Sequence, residues 1–152
     1  MEIRDMESKD YPEIDRLMKE LHELHVKGRP DLYTELEHPY SREEFEKIVS
    51  NPGIIAILAE EKSVVIGLCI GTLRKKSGMV ETKTMYIEDL IVDRNFRGKG
   101  IASQLYEEME ERGRNTGAKR LDLMVWEFNS DAKRFYEKQG MRPQRYIYEK
   151  EL

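Results

Sequence analysis

The sequence predicts a mixed α/β fold, in which a largely antiparallel sheet is flanked by about four helices. Two apolar runs rich in β-branched residues, Ile54 to Glu60 and Val64 to Leu73, are separated by three polar residues and predict an antiparallel hairpin. A further β-rich run leads into a glycine-rich turn and then into residues at helical spacing, between Tyr86 and Asn115. Strands and helices thus alternate, which is typical of a layered α/β domain.

The first fifty residues predict a short strand followed by two helices. The strand is Ile3 to Met6, and the apolar positions of the first helix recur from Tyr11 until Gly28 ends it. Residues 29–39 are rich in tyrosine and turn-forming residues and predict a loop. Ser41-Arg42-Glu43-Glu44 has the spacing of a capping box and predicts the start of a second, shorter helix.

After the hairpin, the alternation of elements continues to the end of the sequence. Asn129 is placed to cap the last helix, and Gly140 is placed to end it. Because the 152 residues contain no linker, repeat or low-complexity segment, the sequence predicts a single domain over residues 1–152. The predicted elements are a turn at Lys75 to Gly78, a strand through Tyr86 to Val92, a helix from Gly100 to about Asn115, a strand at Arg120 to Val125, a helix from Ser130 to Gln139 and a last strand at Tyr146 to Leu152.

Composition and charge exclude several classes of protein. No apolar run approaches the roughly 20 residues that a membrane helix needs, and the first ten residues are acidic, unlike a targeting peptide. The single cysteine, Cys69, allows no internal disulfide and no cysteine metal site, and no carboxylate cluster has ligand spacing. We therefore expect a cytoplasmic protein with no membrane partner and no metal. The net charge of −4 argues against a nucleic-acid partner, which would favour a basic surplus.

The charge is unevenly distributed along the chain. Residues 1–50 contain 14 acidic and 8 basic side chains, whereas residues 51–152 contain 16 and 18. One interpretation is that the acidic excess belongs to the solvated outer faces of two helices. The other is that the acidic part supplies the site for a cationic substrate, and the sequence leaves both open.

Residues 97–103 have the composition of an anion-binding loop. Gly98 and Gly100 allow the backbone to approach a ligand closely, and the helix that begins here directs N–H groups and its positive dipole end at the same point. Arg97 and Lys99 add two full positive charges, which favour a polyphosphate over a single carboxylate. The sequence therefore predicts a phosphate-binding cradle, formed by Arg97, Gly98, Lys99, Gly100, Ile101, Ala102 and Ser103.

Two common nucleotide motifs fit this loop poorly. The Gly-x-Gly-x-x-Gly dinucleotide motif is incomplete, because Ser103 stands where the third glycine belongs. Too few residues follow the loop to build the second half of such a fold. A Walker loop is excluded, because no Gly-x-x-x-x-Gly-Lys occurs.

The loop and a second motif together resemble the GNAT acetyltransferases, which use acetyl-coenzyme A. The pyrophosphate signature of that family, Gln/Arg-x-x-Gly-x-Gly/Ala, matches Arg97 to Ala102. The second signature, Asn, Ala and Tyr before a Gly-aromatic pair, matches Asn129, Ala132, Tyr136 and Gly140. In that pair, Met141 departs from the family's usual phenylalanine but keeps an apolar side chain. The resemblance covers residues 84–152 closely and the N-terminal half in outline.

The resemblance implies a GNAT-like fold, acetyl-CoA as co-substrate, and roles for several residues. The cradle would bind the pyrophosphate. Tyr136 stands where the family places the acid that protonates the departing thiolate, and the alternative is a helix residue that packs its ring. Two further groups would complete the coenzyme site. The first is the backbone of Leu90, Ile91 and Val92, and the second is Asn129, Ala132 and Tyr136 in the last helix.

The acceptor side of such a reaction needs a base. An amine similar to lysine has a reference pKa near 10.4, so a carboxylate that takes its proton assists attack at neutral pH. Glu88 and Asp89 are adjacent on one strand, so alternation predicts that they face opposite sides and that only one faces the cleft. The diamine acetyltransferases of the family carry a similar pair with the glutamate as base. By that resemblance Glu88 is assigned, Asp89 is the alternative, and a purely ion-pairing role for both stays open.

The sequence therefore predicts an N-acetyltransferase that moves an acetyl group from acetyl-CoA to a primary amine by direct attack in a ternary complex. A small or polyamine-like acceptor is favoured, and residues 26–40 and 75–82 are expected to form the acceptor loops. A protein or peptide acceptor, and a sensor that binds acyl-CoA without turnover, are the alternatives. A homodimer is compatible with all of them.

Overall fold

The computed structural model describes residues 1–75 and 82–152. Residues 76–78 of the turn predicted at Lys75 to Gly78, and nearly all of the second predicted acceptor loop, therefore lie outside the described residues. Two short 3₁₀ turns, Ser8–Asp10 and Arg94–Phe96, accompany the helices and strands. In chain order these are β1 (Glu2–Asp5), α1 (Tyr11–Gly28), α2 (Arg42–Ser50), β2 (Ile54–Glu61), β3 (Val64–Lys75), β4 (Lys83–Val92), α3 (Ile101–Asn115), β5 (Arg120–Leu123) and α4 (Ser130–Lys138).

The five described strands form one sheet in the order β1-β2-β3-β4-β5. The pairings from β1 to β4 are antiparallel, and β5 runs parallel to β4. Leu105 and Met109 of α3 pack on one face of the sheet, and Leu17 of α1 and Phe45 of α2 pack on the other. The predicted mixed α/β fold is confirmed. Within the part of the chain that the structure describes, no helix is long and apolar enough to cross a membrane.

Local sequence accounts for two of these elements directly. Ser41 Oγ accepts a hydrogen bond from the N–H of Glu44 at 3.1 Å, and the Glu44 carboxylate accepts from the N–H of Ser41 at 2.8 Å, so the capping box starts α2 as predicted. Lys62 and Ser63 connect β2 to β3 with φ angles of 50° and 64°, as a tight two-residue hairpin turn requires. The predicted hairpin is confirmed by the antiparallel register of the two strands.

β5 accompanies β4 over the first half of β4. Their parallel pairing runs from Thr84–Arg120 to Ile87–Leu123 and then stops. β4 continues to Val92, where it is paired with β3 on its other side. A gap, called here the β4–β5 wedge, therefore opens between the second half of β4 and the chain that leaves β5. Ligands of open α/β sheets bind at such carboxyl ends of diverging strands.

Two predicted strands need correction. β5 ends at Leu123 instead of Val125, because the chain diverges from β4 there and the backbone ladder ends. The strand predicted at Tyr146 to Leu152 is wrong: this segment forms no strand, and its side chains are exposed. Its residue pattern is that of a strand, but a strand also needs a neighbouring edge for its N–H and C=O groups. The described part of the chain pairs no edge with it.

Candidate active site

The predicted phosphate-binding cradle, residues 97–103, follows β4 and includes the first residues of α3. Gly98 and Gly100 have φ angles of 76° and 77°, in the left-handed region that favours glycine. A Cβ atom added at either glycine would meet no other described atom within 4 Å, so both glycines face open space. Gln104 N–H bonds the Gly100 carbonyl at 3.1 Å. The N–H groups of the preceding helical residues are left to face a ligand.

The side chains of the cradle divide into exposed cations and buried anchors. Arg97 and Lys99 are exposed beside the two glycines. Ile101 is buried in the core under α3, and Ala102 packs against the same core. The cradle can therefore offer two full charges from side chains and a row of N–H groups from the backbone, which together suit a polyphosphate.

Asp93 fixes the turn that leads from β4 into the cradle. Its carboxylate accepts hydrogen bonds from Asn95 N–H at 2.8 Å and from Arg16 of α1 at 2.7 Å. Burial opposes the charge on Asp93, but these hydrogen bonds outweigh it and lower the pKa of the carboxyl group. Arg97 donates to the carbonyl of Val92 at 3.1 Å and closes the turn. Neither Asp93 nor Arg16 is predicted from the sequence, although an aspartate that follows a strand is a turn signal.

α4 is tied to the cradle and capped as predicted. Asn129 caps the helix, since its side-chain oxygen accepts a hydrogen bond from Ala132 N–H at 3.1 Å. At the other end, Gln139 donates to Ser103 Oγ of the cradle at 3.0 Å. These contacts hold α4 beside the start of α3.

Tyr136 of α4 packs against Tyr106 and the core under α3. Its ring centroid lies 6.3 Å from that of Tyr106 on α3, and it packs against the same core as Cys69. Burial, and after it the neighbouring Cys69, Tyr106 and Asp89, raise the pKa of Tyr136 above its ordinary value. The phenol therefore stays protonated at neutral pH, as a proton donor must.

Leu90, Ile91 and Val92 border the wedge. They pair with residues 67–69 of β3, and no other described strand uses the backbone groups on their other edge. Cys69 is fully buried, and burial raises the pKa of its thiol. The prediction that Cys69 is a core residue is confirmed.

A β-bulge interrupts β4 at Glu88. On β3, Gly71 pairs with Ile87 and Ile70 pairs with Asp89, so Glu88 is the extra residue between two consecutive pairs. This bulge lies where β5 stops pairing with β4. β-Bulges redirect side chains and are frequent beside active sites.

The bulge places both carboxylates on one side of the sheet. Ile87 and Leu90 both pack on the α3 face, although simple alternation would send residues three apart to opposite faces. The phase of the strand therefore changes between them. Before the bulge, the alternation places Glu88 on the face opposite Ile87, the α1 and α2 side. After the bulge, it places Asp89 on the face opposite Leu90, which is the same side. The expectation that they face opposite sides is wrong, because alternation fails at a bulge.

Asp89 is held by the loop between α1 and α2. Tyr40 donates a hydrogen bond to Asp89 Oδ2 at 2.7 Å, and Tyr11 of α1 fixes Tyr40 by bonding its carbonyl at 2.7 Å. Burial raises the pKa of Asp89 to about 6; the Tyr40 hydrogen bond lowers it and the neighbouring Glu88 charge raises it further. Tyr40 is the last residue of the acceptor loop predicted over residues 26–40, although the sequence gives it no individual role.

Glu88 has a different environment. Its carboxylate pairs with Arg74 of β3 at 2.7 Å, and the Arg74 guanidinium lies 3.6 Å from the centroid of the Tyr86 ring. The pair is partly exposed, so the two charges are solvated and the pair can rearrange at low cost. Over residues 1–75 and 82–152, no group of three or more His, Cys, Asp or Glu side chains is placed to hold a metal ion.

These contacts define a domain that can hold a polyphosphate coenzyme along β4, with two carboxylates at the far end of the wedge. The sequence profile of the acetyltransferase (GNAT) family matches residues 15–141, which include the cradle, the bulge and α4. This chain belongs to the acetyltransferase (GNAT) family. The family membership predicted from its two motifs is confirmed.

Individual relatives agree with this assignment. An uncharacterized N-acetyltransferase in the pepI 3′ region of Lactobacillus delbrueckii subsp. lactis is 37% identical over 62 residues. The match covers 41% of this chain and 36% of that protein, so it spans about a third of the relative's length. A tetramutant of the BH1408 protein from Bacillus halodurans is 32% identical, with a TM-score of 0.96 over 100% of both chains.

A more distant structure has the same fold. The aminoglycoside N-acetyltransferase AAC(6′)-Iy in complex with CoA superposes with a TM-score of 0.75 over 99% of both chains, at 19% identity. At this identity the similarity concerns the fold alone.

Proposed function

We propose that this protein is an acetyl-CoA-dependent N-acetyltransferase that acts on a primary amine by direct attack in a ternary complex. One observation carries the proposal. The open cradle at the start of α3 continues into the β4–β5 wedge, and the wedge ends beside the two carboxylates on the bulge of β4. A coenzyme bound along β4 from the cradle would present its thioester to an amine held by these carboxylates.

The cradle has the properties that the coenzyme pyrophosphate requires. Both glycines face open space, the N–H groups at the start of α3 point toward it, and two exposed cations flank it. The acetyl thioester supplies the group to be transferred. The residues proposed to bind the coenzyme are Arg97, Gly98, Lys99, Gly100, Ile101, Ala102 and Ser103 at the pyrophosphate, Leu90, Ile91 and Val92 along the pantetheine arm, and Asn129, Ala132 and Tyr136 on the α4 side.

In the proposed reaction, the amine nitrogen bonds to the thioester carbonyl carbon and the carbon–sulfur bond breaks. The proton lost from the amine goes to a carboxylate on the bulge, and the departing thiolate takes a proton from the Tyr136 hydroxyl. Tyr136 packs on the α3 face, whereas Asp89 contacts Tyr40 on the opposite face. The proton donor and the proton acceptor thus lie on opposite sides of β4.

The surroundings of the two carboxylates suit different tasks. Asp89 has a pKa of about 6, close to neutral pH, which favours both accepting a proton and releasing it. Glu88 is more exposed, and a cationic amine could replace Arg74 as its ion-pair partner, which favours a role in attracting the amine. We therefore propose Asp89 as the base. Glu88, the residue chosen by family resemblance, is the alternative.

Two amide variants decide between the carboxylates. For Asp89→Asn we expect kcat at pH 7 to fall by about 100-fold or more, and the rise of activity through pH 6 to disappear, because the base is lost. For Glu88→Gln we expect that rise to remain and mainly KM for the amine to increase. The opposite result, with the pH limb kept in Asp89→Asn and kcat lost in Glu88→Gln, would assign the base to Glu88.

A small amine is the proposed acceptor. The carboxylates face the α1 and α2 side, which belongs to the acidic part of the chain, and this favours a cation. The neighbour AAC(6′)-Iy has been solved with a bisubstrate analog, CoA-S-monomethyl-acetylneamine. A protein or peptide acceptor and an acyl-CoA sensor are the competing functions. The cytoplasmic location expected from the sequence stays a prediction.

The function is tested by following thiol release from acetyl-CoA with a panel of polyamines, aminoglycosides and lysine-containing peptides. We expect release with at least one small amine, and a higher melting temperature in acetyl-CoA because the ligand binds the folded state. Release with peptides alone would establish the protein acceptor. Binding by calorimetry without release from any amine would favour the sensor, and an unchanged melt at millimolar acetyl-CoA would contradict the coenzyme site.

A further inference from the structure

Residues 33–40, called here the strap, connect the two sides of the β4–β5 wedge. At one end, Trp126 Nε1 donates a hydrogen bond to the Tyr33 hydroxyl at 3.0 Å, and the two rings pack edge to face with centroids 5.8 Å apart. Trp126 belongs to the chain that leaves β5. At the other end, Tyr40 donates to Asp89 of β4 at 2.7 Å. The strap therefore has one anchor on each side of the wedge.

Two histidines hold the middle of the strap on α1. His22 Nε2 lies 2.6 Å from the carbonyl oxygen of Thr34, and His38 Nδ1 lies 3.0 Å from Asp15 Oδ2. Asp15 is itself buried on α1. Because both its ends and its middle are bound, the strap has a defined position and can support a side chain of the site.

The backbone of Tyr40 is fixed by both neighbouring helices. The Tyr11 hydroxyl of α1 donates to the Tyr40 carbonyl at 2.7 Å, and the Tyr11 ring centroid lies 5.5 Å from that of Phe45, a fully buried residue of α2. Tyr40 also directly precedes Ser41, whose capping box starts α2. The start of α2 and the side of α1 thus determine where Tyr40 places its hydroxyl.

The hydroxyl of Tyr40 orients the Asp89 carboxylate. Tyr40 binds Oδ2, and within residues 1–75 and 82–152 no group donates a hydrogen bond to Oδ1. The titratable groups that interact with Asp89 are Glu88 on the same strand, Cys69 of β3, Tyr136 of α4 and Tyr40, and none of these four is a cation. Burial and the Asp89 charge raise the pKa of Tyr40, so its hydroxyl stays protonated and donates at neutral pH.

We propose that Tyr40 is a positioning residue for the proton acceptor of the reaction. Its hydroxyl holds Asp89 Oδ2 on the strap and leaves Oδ1 to take the proton of the amine. This role rests on the proposed function, in which Asp89 is the base. Because a hydrogen bond to a carboxylate favours its charged form, Tyr40 also keeps more of Asp89 able to accept a proton, against the effect of burial.

Tyr40→Phe tests this role, because it removes the hydroxyl and keeps the ring. In the free protein, carbon NMR of the Asp89 carboxyl group, assigned by its absence in Asp89→Asn, should show the pKa rise from about 6 in wild type to about 7 in the variant. The acid limb of kcat/KM should move by the same amount. Tyr33→Phe is the matched control, since it removes the hydroxyl at the other end of the strap, whose partner is Trp126. Both midpoints should stay at their wild-type values in this control.

The two measurements separate this proposal from the proposed function. The NMR titration needs neither acceptor nor turnover, so an unchanged carboxyl midpoint in Tyr40→Phe would overturn the positioning role and leave the acetyltransferase function intact. A raised carboxyl midpoint with an unmoved activity limb would show that Asp89 is not the base, and the positioning role would be overturned with it. Equal shifts in Tyr40→Phe and Tyr33→Phe would also overturn it, because a general loosening of the strap would then explain the effect.

A double-mutant cycle tests whether Tyr40 acts through Asp89. We expect Tyr40→Phe to lower kcat by about tenfold or more, because a misplaced base transfers the proton less efficiently. In the Asp89→Asn background the same change should cause no further loss, since the base that Tyr40 positions is already absent. A further tenfold loss in that background would mean that Tyr40 acts independently of Asp89 and would overturn the proposal.

Discussion

The two halves of β4 differ in what surrounds them. From Lys83 to Ile87 the strand is paired with β3 on one side and, from Thr84 onward, with β5 on the other. From Asp89 to Val92 it is paired, among the described strands, with β3 alone, and its other edge faces the wedge. The bulge at Glu88 marks the boundary between the two halves.

This difference separates stability from function within one strand. In the doubly paired half, both edges of the strand are hydrogen-bonded to neighbouring strands of the sheet, and its side chains build the core under α3. The singly paired half exposes backbone groups that a coenzyme can use, and it leads directly into the cradle. Variants in the two halves should therefore change different measured quantities, which gives a way to test the comparison.

The largest effect is expected in the cradle that follows the second half. Gly100→Asp would place a negative charge against the pyrophosphate, and like charges brought together cost several kcal/mol, so the Kd for acetyl-CoA should rise by about 1,000-fold. Its control is Gly117→Asp, at the other end of α3, where φ is 86° and Lys83 is near. Calorimetry should find Gly117→Asp near wild type. Equal losses in both variants would mean that backbone strain, not the cradle, explains the effect.

In the first half, Met85→Ala should reduce stability without changing the site. Met85 is 1% exposed, and truncating a buried methionine costs about 2–5 kcal/mol of unfolding free energy. Denaturant melts should show this loss, while the Kd for acetyl-CoA measured below the transition should stay within about twofold of wild type. A large loss of coenzyme affinity in folded Met85→Ala would break the division between the two halves.

At the boundary, Asp89 should make stability depend on pH. Its pKa in the folded protein is about 6, above the ordinary 3.8. The stabilisation that Asp89 contributes should therefore be fully present below about pH 4 and be lost as pH rises through about 6, by roughly 3 kcal/mol in total. Chemical denaturation from pH 4 to 8 should show this loss as a change in the difference in unfolding free energy between wild type and Asp89→Asn, and no such change between wild type and the exposed control Asp131→Asn. Parallel curves for Asp89→Asn and wild type would show that Asp89 is not the titrating group.

The smallest effect is expected at Tyr136, on the α4 side of the wedge. Tyr136→Phe keeps the ring and removes the proton donor, so kcat should fall by about tenfold or more at unchanged Kd for acetyl-CoA. Tyr106→Phe is the matched control, because Tyr106 belongs to the same ring cluster but interacts with Glu110 and Arg114 on α3. Single-turnover rates should distinguish the two variants. Full activity in Tyr136→Phe would leave Tyr136 a packing residue.

The cradle was predictable from sequence because it depends on neighbours in the chain. Two glycines and the start of a helix follow from residue types within a few positions of one another. The capping box of α2 and the β2–β3 hairpin were predictable for the same reason. Only the spacing of residues had to be known.

The acceptor side, and the anchor of the turn that leads into the cradle, were not predictable in the same way, because their contacts join distant parts of the chain. The hydrogen bond from Tyr40 to Asp89 spans 49 residues, and the bond from Arg16 to Asp93 spans 77. No local pattern predicts such partners. The bulge at Glu88 appears only in the register of β4 against β3.

The sequence by itself thus determined the order of the elements, the cradle and the family, because these depend on local residue types and spacing. The tertiary structure decided which way Glu88 and Asp89 face, since a one-residue change of register reverses the alternation of a strand. It also decided that residues 146–152 form no strand, although their composition favours one. A strand is completed by hydrogen bonds to a neighbouring edge, and that edge is a property of the fold or of a partner.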